Sequence, residues 1–135
     1  ANPAEMAQRK KAAHLAEIYR PIIDRFKSKQ WVFHPRALEL PEMTDGNIFR
    51  LADGSVMVTM VSIWRDLYNL PGAAPGVELA CRLPDAGEFT RFSLIQPDLN
   101  DSSEGKPIVP VERAGDRIRF KLEKHEMASV VLLEK

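Results

Sequence analysis

Trp64, Arg65, Asp66 and Tyr68 are the residues of this chain whose types and spacing best suit a binding site. Flat aromatic rings stack on sugar faces, and charged neighbours exchange hydrogen bonds with hydroxyls. Pro71-Gly72 and Pro75-Gly76 punctuate the stretch, which predicts a loop from Trp64 to Gly76. Trp64, Asp66 and Tyr68 are therefore the candidate carbohydrate-binding residues. The commoner use of such rings is to cap the open end of a core, with their polar tips reaching water.

No catalytic constellation accompanies them. The three histidines, His14, His34 and His125, stand in no metal-binding pattern, and surface or loop positions are expected for them. His125-Glu126 lacks the second histidine that a zinc-protease helix places one turn on. Asp98 to Gly105 begins like a calcium loop. Ser103 then stands where that loop needs glycine, and Val109 where it needs glutamate. Ser129 has no Gly-x-Ser-x-Gly elbow around it, and the glycines form no phosphate-binding loop. The acidic residues suggest no pair for glycosidic chemistry, because they fall mostly in turns or on wet strand faces. No catalytic residue, metal ligand or cofactor site is assigned.

Charge narrows the partner class. The chain carries 19 basic and 19 acidic residues, and so no net charge. Nucleic acid and anionic membranes both select a basic excess, so neither is expected as a partner. Arg9-Lys10-Lys11 reads as a solvated helix face. No apolar run approaches about 18 residues, and no helical membrane span is predicted. The single cysteine, Cys81, has no partner for an internal disulfide and occupies an apolar strand position, as a buried structural thiol does. The compartment stays open, with export one possibility. The chain begins at Ala and shows no signal peptide, which is expected of a protein processed or cut from something longer.

The elements that would position these residues are mostly strands. At 135 residues the chain fits one domain, and its 44% hydrophobic content is that of a folded protein. Pro3 to Lys29 is predicted helical, since Leu15, Ile18, Tyr19, Ile22 and Phe26 recur three and four apart as one apolar stripe. Pro21 predicts a kink or a second short helix. The stripe either lies on the sheet or belongs to a neighbour outside this chain. Trp31 is expected as a buried staple between helix and first strand. Short runs follow at Trp31-Val32-Phe33 and Ala37 to Leu40. Thr44-Asp45-Gly46 reads as a turn, and Asp53-Gly54 as a hairpin turn between Asn47–Leu51 and Ser55–Ser62. The second of these strands is apolar on both faces and is expected to be central. Further strands are predicted at Val77–Leu83 and Phe89–Ile95, with a flexible polar loop over Asp98–Pro107 and at most an edge strand around Pro110. Arg117 to Leu122 alternates charge with hydrophobe, and Ala128 to Leu133 is almost wholly apolar. They are expected to pair as a closing hairpin, with Ile118, Phe120 and Leu122 in the core.

About seven or eight short strands at roughly 8–12-residue intervals predict an antiparallel β-sandwich with an N-terminal α-helical segment. The expected organisation is a helix and linker over 1–30 and a sandwich over 31–135.

The order of these features resembles a known arrangement. A Tyr-x-Pro helix, Tyr19-Arg20-Pro21-Ile22-Ile23-Asp24, runs into Lys29-Gln30-Trp31-Val32. Gly46-Asn47-Ile48-Phe49-Arg50 with Asp53-Gly54 follows, and Gly115 to Phe120 with Val130 to Leu133 ends the chain. This resembles the C-terminal region of large bacterial proteins similar to glycoside hydrolases, where a last barrel helix leads into a β-sandwich. The resemblance implies a non-catalytic accessory domain whose partner is the catalytic domain of a larger parent protein. It transfers no catalytic residue, because in such enzymes the carboxylates sit in the barrel. A carbohydrate-binding module using the Trp64 loop is the alternative expectation.

Overall fold

In the computed structural model, described over residues 2–25, 30–31, 37–41, 44–62 and 74–135, helix α1 runs from Pro3 to Arg25. Asn2 caps it, its Oδ1 accepting the Glu5 N–H at 2.8 Å. Pro21 lies inside the helix, which continues past it without dividing in two. Ile18 and Ile22 are buried and Tyr19 half-buried. Ile22 and Tyr19 pack with Leu51, Met57, Ile95, Val130 and Leu132 on one outer sheet face. The apolar stripe therefore finds its partner within the chain. The side chains of Leu15, Phe26 and Trp31 lie outside the described residues.

Two antiparallel sheets carry the remainder. The first has the order β1-β3-β4-β10-β6-β7, from Gln30–Trp31, Thr44–Arg50, Val56–Ser62, Ala128–Glu134, Arg91–Ile95 and Lys106–Pro107. The second has the order β2-β5-β9-β8, from Leu38–Glu39, Ala74–Arg82, Arg117–His125 and Glu112–Ala114. The expected β-sandwich with an N-terminal helix is thus the observed fold. Val56, Val58, Met60, Val131 and Leu133 from the first sheet meet Leu79, Cys81, Ile118, Phe120 and Leu122 from the second. Burial pushes the Cys81 thiol up to about 12, so it is held as a neutral core group.

Several strands fall as expected. β4 lies between β3 and β10, with Val56, Val58 and Met60 in the core and Met57 under the helix. The Asp53-Gly54 hairpin joins β3 to β4 in the register Arg50↔Val56, with Gly54 at φ 85°. Asp53 Oδ1 accepts both the N–H and the hydroxyl of Ser55.

Four expectations are corrected. The two C-terminal runs do not pair with each other. β9 pairs with β5 and β8, while β10 pairs with β4 and β6 in the opposite sheet. Their inner side chains meet across the sandwich instead of side by side. Thr44-Asp45-Gly46 is the start of β3, not a turn, and Gly46 pairs with Met60. Its missing side chain serves close strand approach. The polar stretch after Ile95 contains a one-turn helix α2, Pro97–Asn100, and strand β7. Val109 and Val111 lie between β7 and β8 and are 83% and 50% exposed. Prolines 107 and 110 remove the donors a strand there would need. The strand predicted from Phe89 starts at Arg91, because Phe89 ends the 3-10 turn Ala86–Glu88 with its ring buried. Val32, Phe33 and His34 lie outside the described residues.

One polar cluster ties the hairpin, the 3-10 turn and Lys135 together. Arg50 donates twice to Asp85, both at 2.8 Å, and Lys135 Nζ reaches the same carboxylate at 2.8 Å. The Arg50 guanidinium, helped by Lys135 against the opposing effect of burial, holds the Asp85 carboxyl well below the usual carboxylate range. A folded-state value below the unfolded one contributes stability that is present above the unfolded value and fades as pH falls. Asp85→Asn is expected to cost about 2 kcal/mol at neutral pH. The gap between it and the wild type should close as pH falls below about 4. Urea unfolding across that range checks this, and a pH-independent gap would show that the charge is not what matters.

Candidate functional site

The predicted binding residues Trp64, Asp66 and Tyr68, with Arg65 between them, lie outside the described residues. Their flanks are described. β4 ends at Ser62 in the first sheet and β5 starts at Ala74 in the second, opposite His125. Ser62 and Ala74 therefore both lie next to the end of β9.

A buried polar network occupies that place. His125 Nδ1 lies 2.7 Å from Ser129 Oγ, and Nε2 lies 3.0 Å from Ser62 Oγ. Ser62 donates its hydroxyl to the Glu126 carbonyl at 2.6 Å. Gln96 Nε2 donates to Ser129 Oγ at 3.0 Å and to the Lys124 carbonyl at 2.6 Å. Because Ser62 spends its proton on Glu126, it accepts from the imidazole, which places a proton on Nε2. With the ring neutral, Nδ1 accepts the Ser129 hydroxyl. The strands β4, β9 and β10 and the start of α2 are pinned together by these bonds.

A serine hydroxyl donating to a histidine is the pairing that activates a nucleophile. Here Ser129 is only 1% exposed and His125 only 3%, so no substrate carbonyl reaches the oxygen. The network holds the sandwich end in shape where β4 ends and β5 begins. His125 is thus a correction, a buried strand residue instead of a surface one. Alternation could not have marked it, since His125 is out of phase with Ile118, Phe120 and Leu122 and is buried only because the alternation shifts after Glu123. His14 is exposed at 2.7 Å from Asp101 Oδ1, and His34 is not among the described residues.

The outer face of the second sheet is ionic. Arg117 bridges Glu39 at 2.8 Å and Glu112 at 2.9 Å, and Arg119 bridges Glu78 at 3.0 Å and Glu112 at 3.4 Å. Arg82 reaches Asp116 at 3.4 Å. These pairs face water, which screens them, so they set strand register more than stability. Among the described side chains no aromatic ring is exposed, because Phe49, Phe89 and Phe120 are buried and Tyr19 and Phe92 half-buried. Among the described residues no three His, Cys, Asp or Glu side chains gather as a metal site.

Solved structures share this architecture. Part of a cycloisomaltooligosaccharide glucanotransferase from a Paenibacillus species, solved with cycloisomaltoheptaose, superposes with a TM-score of 0.60 over 78% of this chain at 14% identity. The fold is one found inside a carbohydrate-active enzyme. The chain spans only 17% of that protein's length. Part of an α-L-fucosidase isoenzyme of Paenibacillus thiaminolyticus matches at a TM-score of 0.48 and 15% identity, covering 85% of this chain and 16% of that one. An arabinofuranosidase of family GH51 from Xanthomonas axonopodis pv. citri matches at 0.41 and 11% identity, covering 78% of this chain and 21% of that one. No family model matches the chain, and no curated protein matches it in sequence.

Proposed function

We propose that this chain is a non-catalytic accessory β-sandwich of a larger glycoside-hydrolase-like protein. The observation carrying the reading is the asymmetry of the glucanotransferase match, which takes in 78% of this chain and 17% of the enzyme. A unit of that proportion fits an accessory part of a longer protein. The inaccessibility of Ser129 and His125 supports the same reading, because the one nucleophile-like pairing in the described residues is sealed. The helix α1 then serves as the entry from the catalytic domain, its last described turns laid on the sheet and its first turns exposed.

The natural reading frame tests this directly. It is expected to encode a catalytic domain joined to this sandwich, and a frame of roughly this length after a signal peptide would overturn the reading. Binding tests the division of labour. Tryptophan fluorescence is expected to stay flat when neutral oligosaccharides are titrated in. A saturable change that is lost in Trp64→Ala would instead make the chain a carbohydrate-binding module built on Trp64, Asp66 and Tyr68.

A further inference from the structure

The course of the chain around β8 leaves a slot at one sandwich edge. β8 pairs with β9 only at Arg117, Ile118 and Arg119. At Arg119 the pairing ends in a bulge, with Val111 donating to the Arg119 carbonyl at 2.8 Å while Glu112 is the Cα partner of the same residue. The neighbouring chain then crosses to the other sheet, where Ile108 donates to the Phe92 carbonyl at 3.0 Å and β7 pairs with β6. β9 itself runs on to His125, with β5 along its other edge.

Backbone groups alternate sides along a strand. Since the Arg119 carbonyl points to the β8 edge, so do the N–H and C=O of Lys121 and the N–H of Glu123, beyond which the alternation shifts by one and His125 turns inward. No strand pairs with them there among the described residues. Beside this stretch is a cleft of about 540 Å³. Leu94, Leu99, Ile108 and Leu122 give it an apolar lining, and the crossing segment from Lys106 to Val109 forms the opposite wall.

Charge sets this edge apart from the ion-paired outer face of the second sheet. Lys106, Lys121 and Lys124 border the cleft, all exposed, with Glu123 the single acid. Among the described residues none of the three lysines has an ion-pair partner, and Lys106 Nζ donates to the Asn100 amide oxygen at 3.2 Å. Arginines 50, 82, 91, 117 and 119, by contrast, all face carboxylates.

We propose that the open edge of β9 at Lys121 and Glu123 takes up an extended acidic peptide strand in the place that β8 vacates. The added strand exchanges backbone hydrogen bonds with those two residues, sets apolar side chains over Leu122 and Ile108, and meets the lysines with its carboxylates. A second copy of this chain is the poorer occupant, because edge-to-edge pairing brings the two lysine sets together, and like charges across strands repel. The inference stands apart from the accessory role and does not depend on it.

The test uses the full chain, labelled for amide NMR, and a synthetic peptide alternating glutamate with valine. Saturable binding is expected, weakened by salt, with slowed hydrogen exchange at the Lys121 and Glu123 amides. The double variant Lys121→Glu, Lys124→Glu should bind about tenfold more weakly. Its amide spectrum checks that it folds. A peptide N-methylated at alternate residues keeps its charge, loses its donors and should not bind, and this arm needs no protein variant. Absence of saturable binding overturns the proposal, as does unchanged exchange at the two amides. Equal binding of the N-methylated peptide reduces the site to charge attraction and also overturns it. An oligogalacturonide that binds there in place of the peptide makes the cleft a site for anionic saccharides instead.

Discussion

Replacing Phe120 by alanine is expected to remove about 3–5 kcal/mol of stability. The ring is fully buried at the centre of β9, with Leu79 as its cross-strand neighbour. It also meets Phe92 of the opposite sheet edge to face, at 5.5 Å between centroids and 62° between planes. Truncation therefore leaves a cavity between two sheets that cannot close without sliding past each other, and it loses the aromatic pair as well. A domain of this size has about 5–15 kcal/mol in total, so the variant should unfold at much lower urea. Phe120→Leu keeps most of the volume and should cost about 1.5 kcal/mol or less. Equilibrium urea unfolding of the pair measures both. A loss under about 1 kcal/mol for the alanine variant would mean that Phe120 faces water.

Gly46→Ala is the second large effect, and its cause is contact between backbones. A Cβ at this position would lie 1.9 Å from the Thr59 carbonyl oxygen and 3.1 Å from Leu40 Cδ1. Leu40 can rotate away. The Thr59 oxygen belongs to β4, which β3 and β10 grip on both sides, so it cannot. The strands must separate where Asn47 N–H donates to Thr59 Oγ1 at 3.1 Å. A loss of about 1–3 kcal/mol is expected, the range for overpacking a filled site. Gly87→Ala is the control, since nothing lies within 4 Å of a Cβ there. It should stay within about 0.5 kcal/mol of the wild type. If both substitutions were equally mild, the close approach of β3 to β4 would be wrong.

These two positions mark the reach of sequence reading. The burial of Phe120 was legible, because Arg117, Arg119 and Lys121 alternate with Ile118, Phe120 and Leu122 over a whole strand. Gly46 was not. Next to Thr44 and Asp45 it has the composition of a turn, and only the approach of Thr59 makes it a strand residue. Asp53-Gly54 has the same chemistry and is a turn, because its flanking runs pair with each other. The polar network was hidden for a related reason. Ser62, Gln96, His125 and Ser129 are far apart in the chain and ordinary one by one, and their burial follows from three strand ends converging.

Residue patterning carries the strand-rich architecture, the helix stripe at Ile18 and Ile22, the buried faces of β4 and β9, and the hairpin at Asp53-Gly54. All of these are local, since a side-chain period or a turn preference acts over a few residues. Tertiary structure alone decided that β9 and β10 part into opposite sheets, that α1 covers Met57 and Leu132, and that the chain leaves β9 at Arg119 and opens the slot beside Lys121. An alternating strand states which face is buried but not which strand lies beside it. That choice rests on the packing of the whole core, where two apolar faces must cover each other.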